Sequence, residues 1–298
     1  MRALKYFLFA LGFSSLISSA GTIDDTSRSV VFLGQNLPVV EEVNGMRLEV
    51  WLKLPATNVF IPKQKRMMGS GFVVVSSNIC YLITARHVAT NMTEDCEVVM
   101  RGDKMEPLRF TLSSITGQPA VRWFHHSSAD VSIHPLPTIT SQGVMALDRR
   151  AMPLEFLESQ TNLPSRESYV TALGFPLGLG AEGEFIPLSR DSKVSSGMLN
   201  DVGGTFFLLQ DPSVSGYSGG PLIQSGDPRV IARDRTAASI AVVSGGARCW
   251  GFVSATFGDE TGGKMCRVTP AFYAVELVHK AQRELTIWPG VRPSPKRK

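Results

Sequence analysis

Gly216-Tyr217-Ser218-Gly219-Gly220-Pro221 is the stretch on which the reading of this chain turns. A serine flanked by glycines is poor material for a helix or a packed core. It suits a tight turn that presents one hydroxyl and aims backbone N–H groups at the same point. Acyl transfer at a nucleophilic serine needs that arrangement, because preorganised donors must meet the tetrahedral oxyanion. Gly216 and Ser218 are placed to supply the two N–H groups, since glycine lets the backbone adopt geometries that other residues resist. The competing reading is a flexible surface turn. A histidine and a carboxylate upstream, each in a suitable context, decide between them.

Both are present. Ile83-Thr84-Ala85-Arg86-His87-Val88 ends an apolar, strand-like run from Gly71 to Ile83, and Ala129-Asp130-Val131-Ser132-Ile133 starts another apolar alternation. Thr84-Ala85-Arg86-His87 resembles the Thr-Ala-x-His of trypsin-like serine peptidases. Asp130-Val131-Ser132-Ile133 resembles their Asp-Ile-Ala-Leu, and the glycine-flanked serine resembles their Gly-Asp-Ser-Gly-Gly-Pro. The order His87, Asp130, Ser218 is the chymotrypsin order rather than that of subtilisin or the α/β-hydrolases. The resemblance implies that Ser218 attacks the scissile carbonyl and His87 takes and returns its proton. It implies that Asp130 fixes the imidazole tautomer and stabilises the imidazolium, and that Gly216 and Ser218 form the oxyanion hole. Asp103, in a charged loop, and Asp148, beside two arginines, are the rival carboxylates and read as solvated.

The nearest likeness is to the bacterial HtrA-type branch. Gly69-Ser70-Gly71-Phe72-Val73 resembles its opening strand. Gly174-Phe175-Pro176-Leu177-Gly178 resembles its Gly-x-Pro-x-Gly turn, and Val194-Ser195-Ser196-Gly197 its Val-x-Ser-Gly. The resemblance runs from about residue 69 to 270. The residues after Pro270 are too few for the PDZ domain that many of those enzymes carry, and none is expected. Tyr217 departs from the pattern. Many animal enzymes have an aspartate there that pairs with a newly cleaved amino terminus, and a tyrosine cannot make that pair at neutral pH. Activation without an inserted terminus is the expectation. A second departure is the long segment 224–248, whose Ile240-Ala241-Val242-Val243 run could form a strand. The resemblance assigns the substrate pocket to Asp211, Pro212, Ser254, Ala255 and Thr256. Pro212 stands where trypsins place their specificity aspartate, which argues against a simple preference for basic residues.

The chain opens Met1-Arg2-Ala3-Leu4-Lys5, runs apolar to Ile17 and continues Ser18-Ser19-Ala20. That is a signal peptide over residues 1–20, too short in its apolar part to span a membrane. A secreted or periplasmic protein is expected, with no membrane span after signal removal. Four cysteines, Cys80, Cys96, Cys249 and Cys266, fall in the exported part. An even count in such a protein suggests disulfides, and the local pairs Cys80–Cys96 and Cys249–Cys266 are favoured. The net charge is +4 and no basic run interleaves with aromatics, so a nucleic-acid partner is not expected. The tail 286–298, ending Lys296-Arg297-Lys298, reads as a solvated end.

Short β-rich runs punctuated by glycine and proline imply an all-β fold. With the resemblance this becomes two six-stranded antiparallel β-barrels of the chymotrypsin type and a C-terminal helix. A loose N-terminus over 21–38 precedes a peptidase domain over 39–285. Its parts are barrel 1 at about 39–137, a crossover at 138–164, barrel 2 at about 168–268 and a helix over 271–284, where Phe272, Val275, Val278 and Ala281 recur at helical spacing. Gly178-Leu179-Gly180-Ala181-Glu182-Gly183 matches a dinucleotide fingerprint but lacks its helix. His125-His126 and His134 have no ligand-spaced carboxylate or cysteine, so neither metal nor cofactor is expected. The functional expectation is an exported serine endopeptidase acting on proteins or peptides. The alternative is a protease-like binding or scaffold module with weak or no hydrolysis.

Overall fold

The computed structural model describes residues 26–55, 59–77, 79–116, 122–136, 150–166, 168–224, 228–230, 242–244 and 248–285. The signal segment, the basic tail and Asp148 lie outside them.

The first sheet is built from β1 (Val30–Pro38), β6 (Gln64–Ser76), β7 (Ile79–Thr84), β8 (Glu97–Arg101), β9 (Pro107–Thr111) and β11 (Ser132–Leu136). Two-residue strands β10 (Phe124–His125) and β12 (Met152–Pro153) are added to it. The order is β10-β11-β7-β6-β1-β8-β9, with β12 beside β6. With eight strands, the sheet curls without a bond between its outer strands among the described residues, a half-barrel rather than the closed six-stranded one expected. Two short helices, α1 (Arg86–Ala89) and α2 (Leu112–Thr116), lie in its connections. The second sheet runs β14 (Leu188–Lys193), β13 (Tyr169–Gly174), β17 (Pro221–Gln224), β20 (Arg248–Gly258), β21 (Lys264–Pro270), β16 (Gly204–Leu209) and β15 (Leu199–Asp201). A bridge between Val194 and Leu209 returns the chain beyond β14 to β16. Six strands therefore close into a barrel, with β15 appended.

Alternation explains how both sheets bury two faces at once, since successive strand residues point to opposite sides. On β1, Val31 and Leu33 enter the core of the first sheet, while Val30 and Phe32 enter a second cluster. On β7, Leu82 and Ile83 divide the same way. That second cluster also takes Leu173 and Phe252 from the other sheet, and Ala274, Leu277, Val278 and Ala281 from helix α3 (Phe272–Leu285). It is thus the seam between the two sheets. A third cluster around Phe207, Leu222 and Val268 fills the second barrel.

Three expectations are corrected. The loose segment 21–38 is not loose throughout. Val30–Leu33 are at most 1% exposed, and β1 lies between β6 and β8. The chain from residue 40 to 62, assigned to barrel 1, forms strands outside its sheet. It belongs to an arm of two hairpins, β2 (Val40–Val43) with β3 (Met46–Glu49) and β4 (Trp51–Lys53) with β5 (Phe60–Pro62). The favoured disulfides are not formed, and all four cysteines are buried thiols. Cys80 lies on β7 and Cys96 just before β8, with β6 and β1 between them. That is about 14 Å along the sheet at the usual strand spacing, against a Cα limit of about 7 Å for a disulfide. Cys249 faces the seam and Cys266 the interior of the second barrel. Burial pushes the thiols of Cys96, Cys249 and Cys266 up to about 12. Within 224–248, β18 (Pro228–Val230) and β19 (Val242–Ser244) pair as a hairpin.

Candidate active site

His87 sits on α1, a single turn that starts as β7 ends. Its backbone N–H donates to Asp130 Oδ1 at 2.9 Å, and its Nδ1 lies 2.8 Å from Asp130 Oδ2. An ionised carboxylate can only accept, so Nδ1 carries a proton, and in the neutral ring Nε2 then keeps its lone pair. Asp130 lies just before β11, which is paired with β7 from Ser132 and Thr84 onward. The register of that pairing brings the two residues together. Burial pushes the Asp130 carboxyl up, but the hydrogen bonds and charge of His87 outweigh it and hold the group below the usual carboxylate range. Asp103 is occupied elsewhere, ion-paired with Arg150 and largely exposed.

Ser218 arrives from the second sheet, on the turn before β17. Gly216 has φ of +103° and Gly219 of +85°, conformations that side chains resist. Space forbids side chains as well. A Cβ on Gly216 would lie 2.3 Å from Phe175 O, and one on Gly219 would lie 2.2 Å from Ser70 O. Leu177 N donates to Ser215 O at 2.7 Å. A trans peptide turns its N–H opposite to its carbonyl, so this bond aims the Gly216 N–H away from Leu177. The backbone N–H groups of Gly216 and Ser218 have no hydrogen-bond partner among the described residues. Two free donors beside a half-buried serine can receive an oxyanion. No hydrogen bond joins Ser218 Oγ to His87, and such bonds are often long before substrate binds.

Ser70 holds the two halves of this site together. Its N–H donates to Ser218 O at 2.8 Å, and its Oγ donates to Gly216 O at 2.6 Å. The same Oγ accepts from Phe175 N at 2.9 Å, while Ser70 O accepts from Thr84 Oγ1 at 2.7 Å. Sequence reading placed Ser70 in a motif without giving it a role. The signal was a hydroxyl between two glycines just before the apolar run Phe72 to Val75.

A family model for the trypsin-like peptidase domain matches residues 69–232. This chain belongs to the trypsin-like peptidase family. No curated protein matches it. Among solved structures it is similar to Rv3671c from M. tuberculosis H37Rv, crystallised as a serine-to-alanine mutant in its inactive form. The identity is 14%, over 88% of this chain and 90% of that one, with a TM-score of 0.45.

In this trypsin-like peptidase, the pocket candidates separate. Asp211 and Pro212 line a cavity of about 10 Å³, together with Arg190, Ser213, Tyr217 and Val253. That is about the room one water needs. Ser254 does not line it, and its Oγ turns to Arg267 O at 3.1 Å. Ala255 is exposed, and Thr256 reaches across to Ser213 O at 3.1 Å, pinning one wall to the other. Asp211 is engaged, accepting from Ser192 Oγ at 2.8 Å. Tyr217 is buried, and its ring passes beside Gly174, where a Cβ would lie 2.9 Å from Tyr217 Cδ1. Burial pushes its phenol up against the pull of the Arg190 charge. Tyr217 therefore props the nucleophile turn by packing. Arg190 went unread in the sequence, because only the pairing of β13 with β14 brings it to this cavity.

Proposed function

We propose that this protein is an exported serine endopeptidase that hydrolyses protein or peptide substrates through an acyl-enzyme on Ser218. His87 acts as the general base and then acid, with Asp130 holding its Nδ1–H. Gly216 and Ser218 donate to the oxyanion. The observation that carries this reading is the conjunction of the 2.8 Å His87–Asp130 contact with two unpartnered N–H groups on the serine turn. Electrostatic preorganisation of this kind supplies the largest share of the rate in acyl transfer. Export rests on the leader-like opening of the sequence. Pro212, at the place where trypsins carry their specificity aspartate, argues against a simple preference for basic residues at the cleaved bond.

Hydrolysis of casein and of a peptide library tests the reading. Wild-type chain should cleave both, and Ser218→Ala or His87→Ala should lower kcat by about 10⁴-fold or more. Undiminished cleavage by Ser218→Ala would refute it. The water-sized cavity favours a second reading, a binding module on a peptidase scaffold. A folded wild type that binds peptides without cleaving them would select that reading.

A further inference from the structure

His126 lies four residues before Asp130 and outside the triad and the oxyanion turn. Its ring is mostly buried, with 13% of the side chain exposed. Two backbone N–H groups converge on its Nδ1, from Ser128 at 3.2 Å and Ala129 at 3.1 Å, and Ser128 Oγ lies at 3.5 Å. Its Nε2 lies 3.3 Å from Glu276 Oε2 on α3. Its own N–H donates to Val131 O, and its carbonyl accepts from Arg86 Nη1, each at 3.0 Å. The ring packs on Tyr273, centroids 4.7 Å apart, and Tyr273 Oη accepts from Thr205 N in the second sheet at 2.9 Å. His126 thus joins the turn that carries Asp130 to the C-terminal helix through its ring, and reaches the residue next to His87 through its carbonyl.

These partners dictate the protonation state. A nitrogen that accepts two N–H bonds must hold a lone pair, so the neutral ring carries its proton on Nε2 and gives it to Glu276. A second proton can go only to Nδ1, where it would face two N–H groups and break both bonds. Solvent reaches the ring through a cleft of about 410 Å³ beside α3. Glu276 brings a carboxylate to Nε2, and Arg86 brings its guanidinium to the His126 carbonyl. His125, His279, Lys280 and Arg283 line the same cleft and add positive or titratable charge.

We propose that His126 is a positioning residue for Asp130, a latch that holds the Ser128–Asp130 turn while its ring is neutral and lets it go when Nδ1 is protonated. The proposal rests on the peptidase reading, because the latch acts through Asp130 on His87. It predicts that reactivity of Ser218 falls in acid by two protons, one taken by His87 and one by His126.

The test is the labelling rate of the full chain by a fluorophosphonate from pH 5 to 9, for wild type, His126→Asn and His126→Ala. Asparagine keeps an acceptor oxygen near the place of Nδ1 and cannot be protonated there. His126→Asn should stay within about threefold of wild type at pH 8 and lose one proton from its acid limb. His126→Ala should label about tenfold more slowly, the size of one or two lost hydrogen bonds. Identical acid limbs for wild type and His126→Asn would overturn the latch. If His126→Ala does not fold, the His126→Asn comparison decides alone. Ring ¹⁵N shifts of His126 at pH 8 give a readout independent of activity. Unprotonated Nδ1 is expected, and a proton on Nδ1 overturns the proposal whether or not Ser218 reacts. A folded wild type that never labels would overturn the peptidase reading alone, and the ring shifts would then decide the latch.

Discussion

At the scale of single residues, Ser70 carries more than its size suggests. Its hydroxyl donates to Gly216 O and accepts from Phe175 N, and the residue is fully buried. Ser70→Ala would leave both backbone groups without a partner and out of reach of water. Each such group costs about 1–3 kcal/mol. The variant should therefore unfold at lower urea concentration, and its kcat should fall more than its KM changes, because Gly216 belongs to the proposed oxyanion turn. An unchanged urea midpoint and kcat would show that the turn is held by other means. His87, Asp130 and Ser218 were legible in the sequence because each stands in a short local pattern. Ser70 and Arg190 were not, because their partners lie on other strands, 146 residues away for the Ser70–Gly216 bond, and His126 was not, because its bonds to Ser128 and Ala129 depend on the fold of the turn. Gly69 and Gly71 set Ser70 apart, but no local pattern names the partner of such a contact.

At the scale of elements, strands were readable where one period dominated and misread where both faces are buried. β1 begins with five consecutive buried residues, Val30 to Gly34, and has no alternation there to announce it. Residues 46–54 do alternate, yet their strands lie in the arm, where Met46, Trp51, Val59 and Phe60 are each more than half exposed. Period alone cannot tell a barrel strand from a free hairpin. Cysteine counting failed for a related reason. An even number says nothing about which faces of which strands the thiols occupy. The arm buries little, so it contributes little to the stability of the sheets. Val39 N donates to Lys63 O across its base at 2.7 Å, which leaves the ends ready to be joined by a tight turn. Replacing residues 40–62 with Asn-Gly should move the melting temperature by no more than about 4 °C, the shift expected of about 1 kcal/mol in a domain of this size. A loss of well over that would mean the arm supports the fold.

At the scale of the whole molecule, the two sheets share one apolar seam, and the proposed chemistry lies where they meet. His87 and Asp130 come from the first sheet, Ser218 and the oxyanion donors from the second, and Ser70 bonds across between them. The C-terminal helix lies over the same seam and reaches the Asp130 turn through Glu276 and His126. An all-β chain with a closing helix was legible from its punctuated strands and the stripe after Pro270. The closed second barrel and the open first sheet depend on pairings that no local pattern displays. The account stands on Ser218 being an activated nucleophile. Peptide mapping by mass spectrometry of the chain after fluorophosphonate treatment tests this most directly. A single adduct is predicted, on Ser218, lost in Ser218→Ala. A folded chain that takes no adduct, or takes it on another residue, would contradict the account.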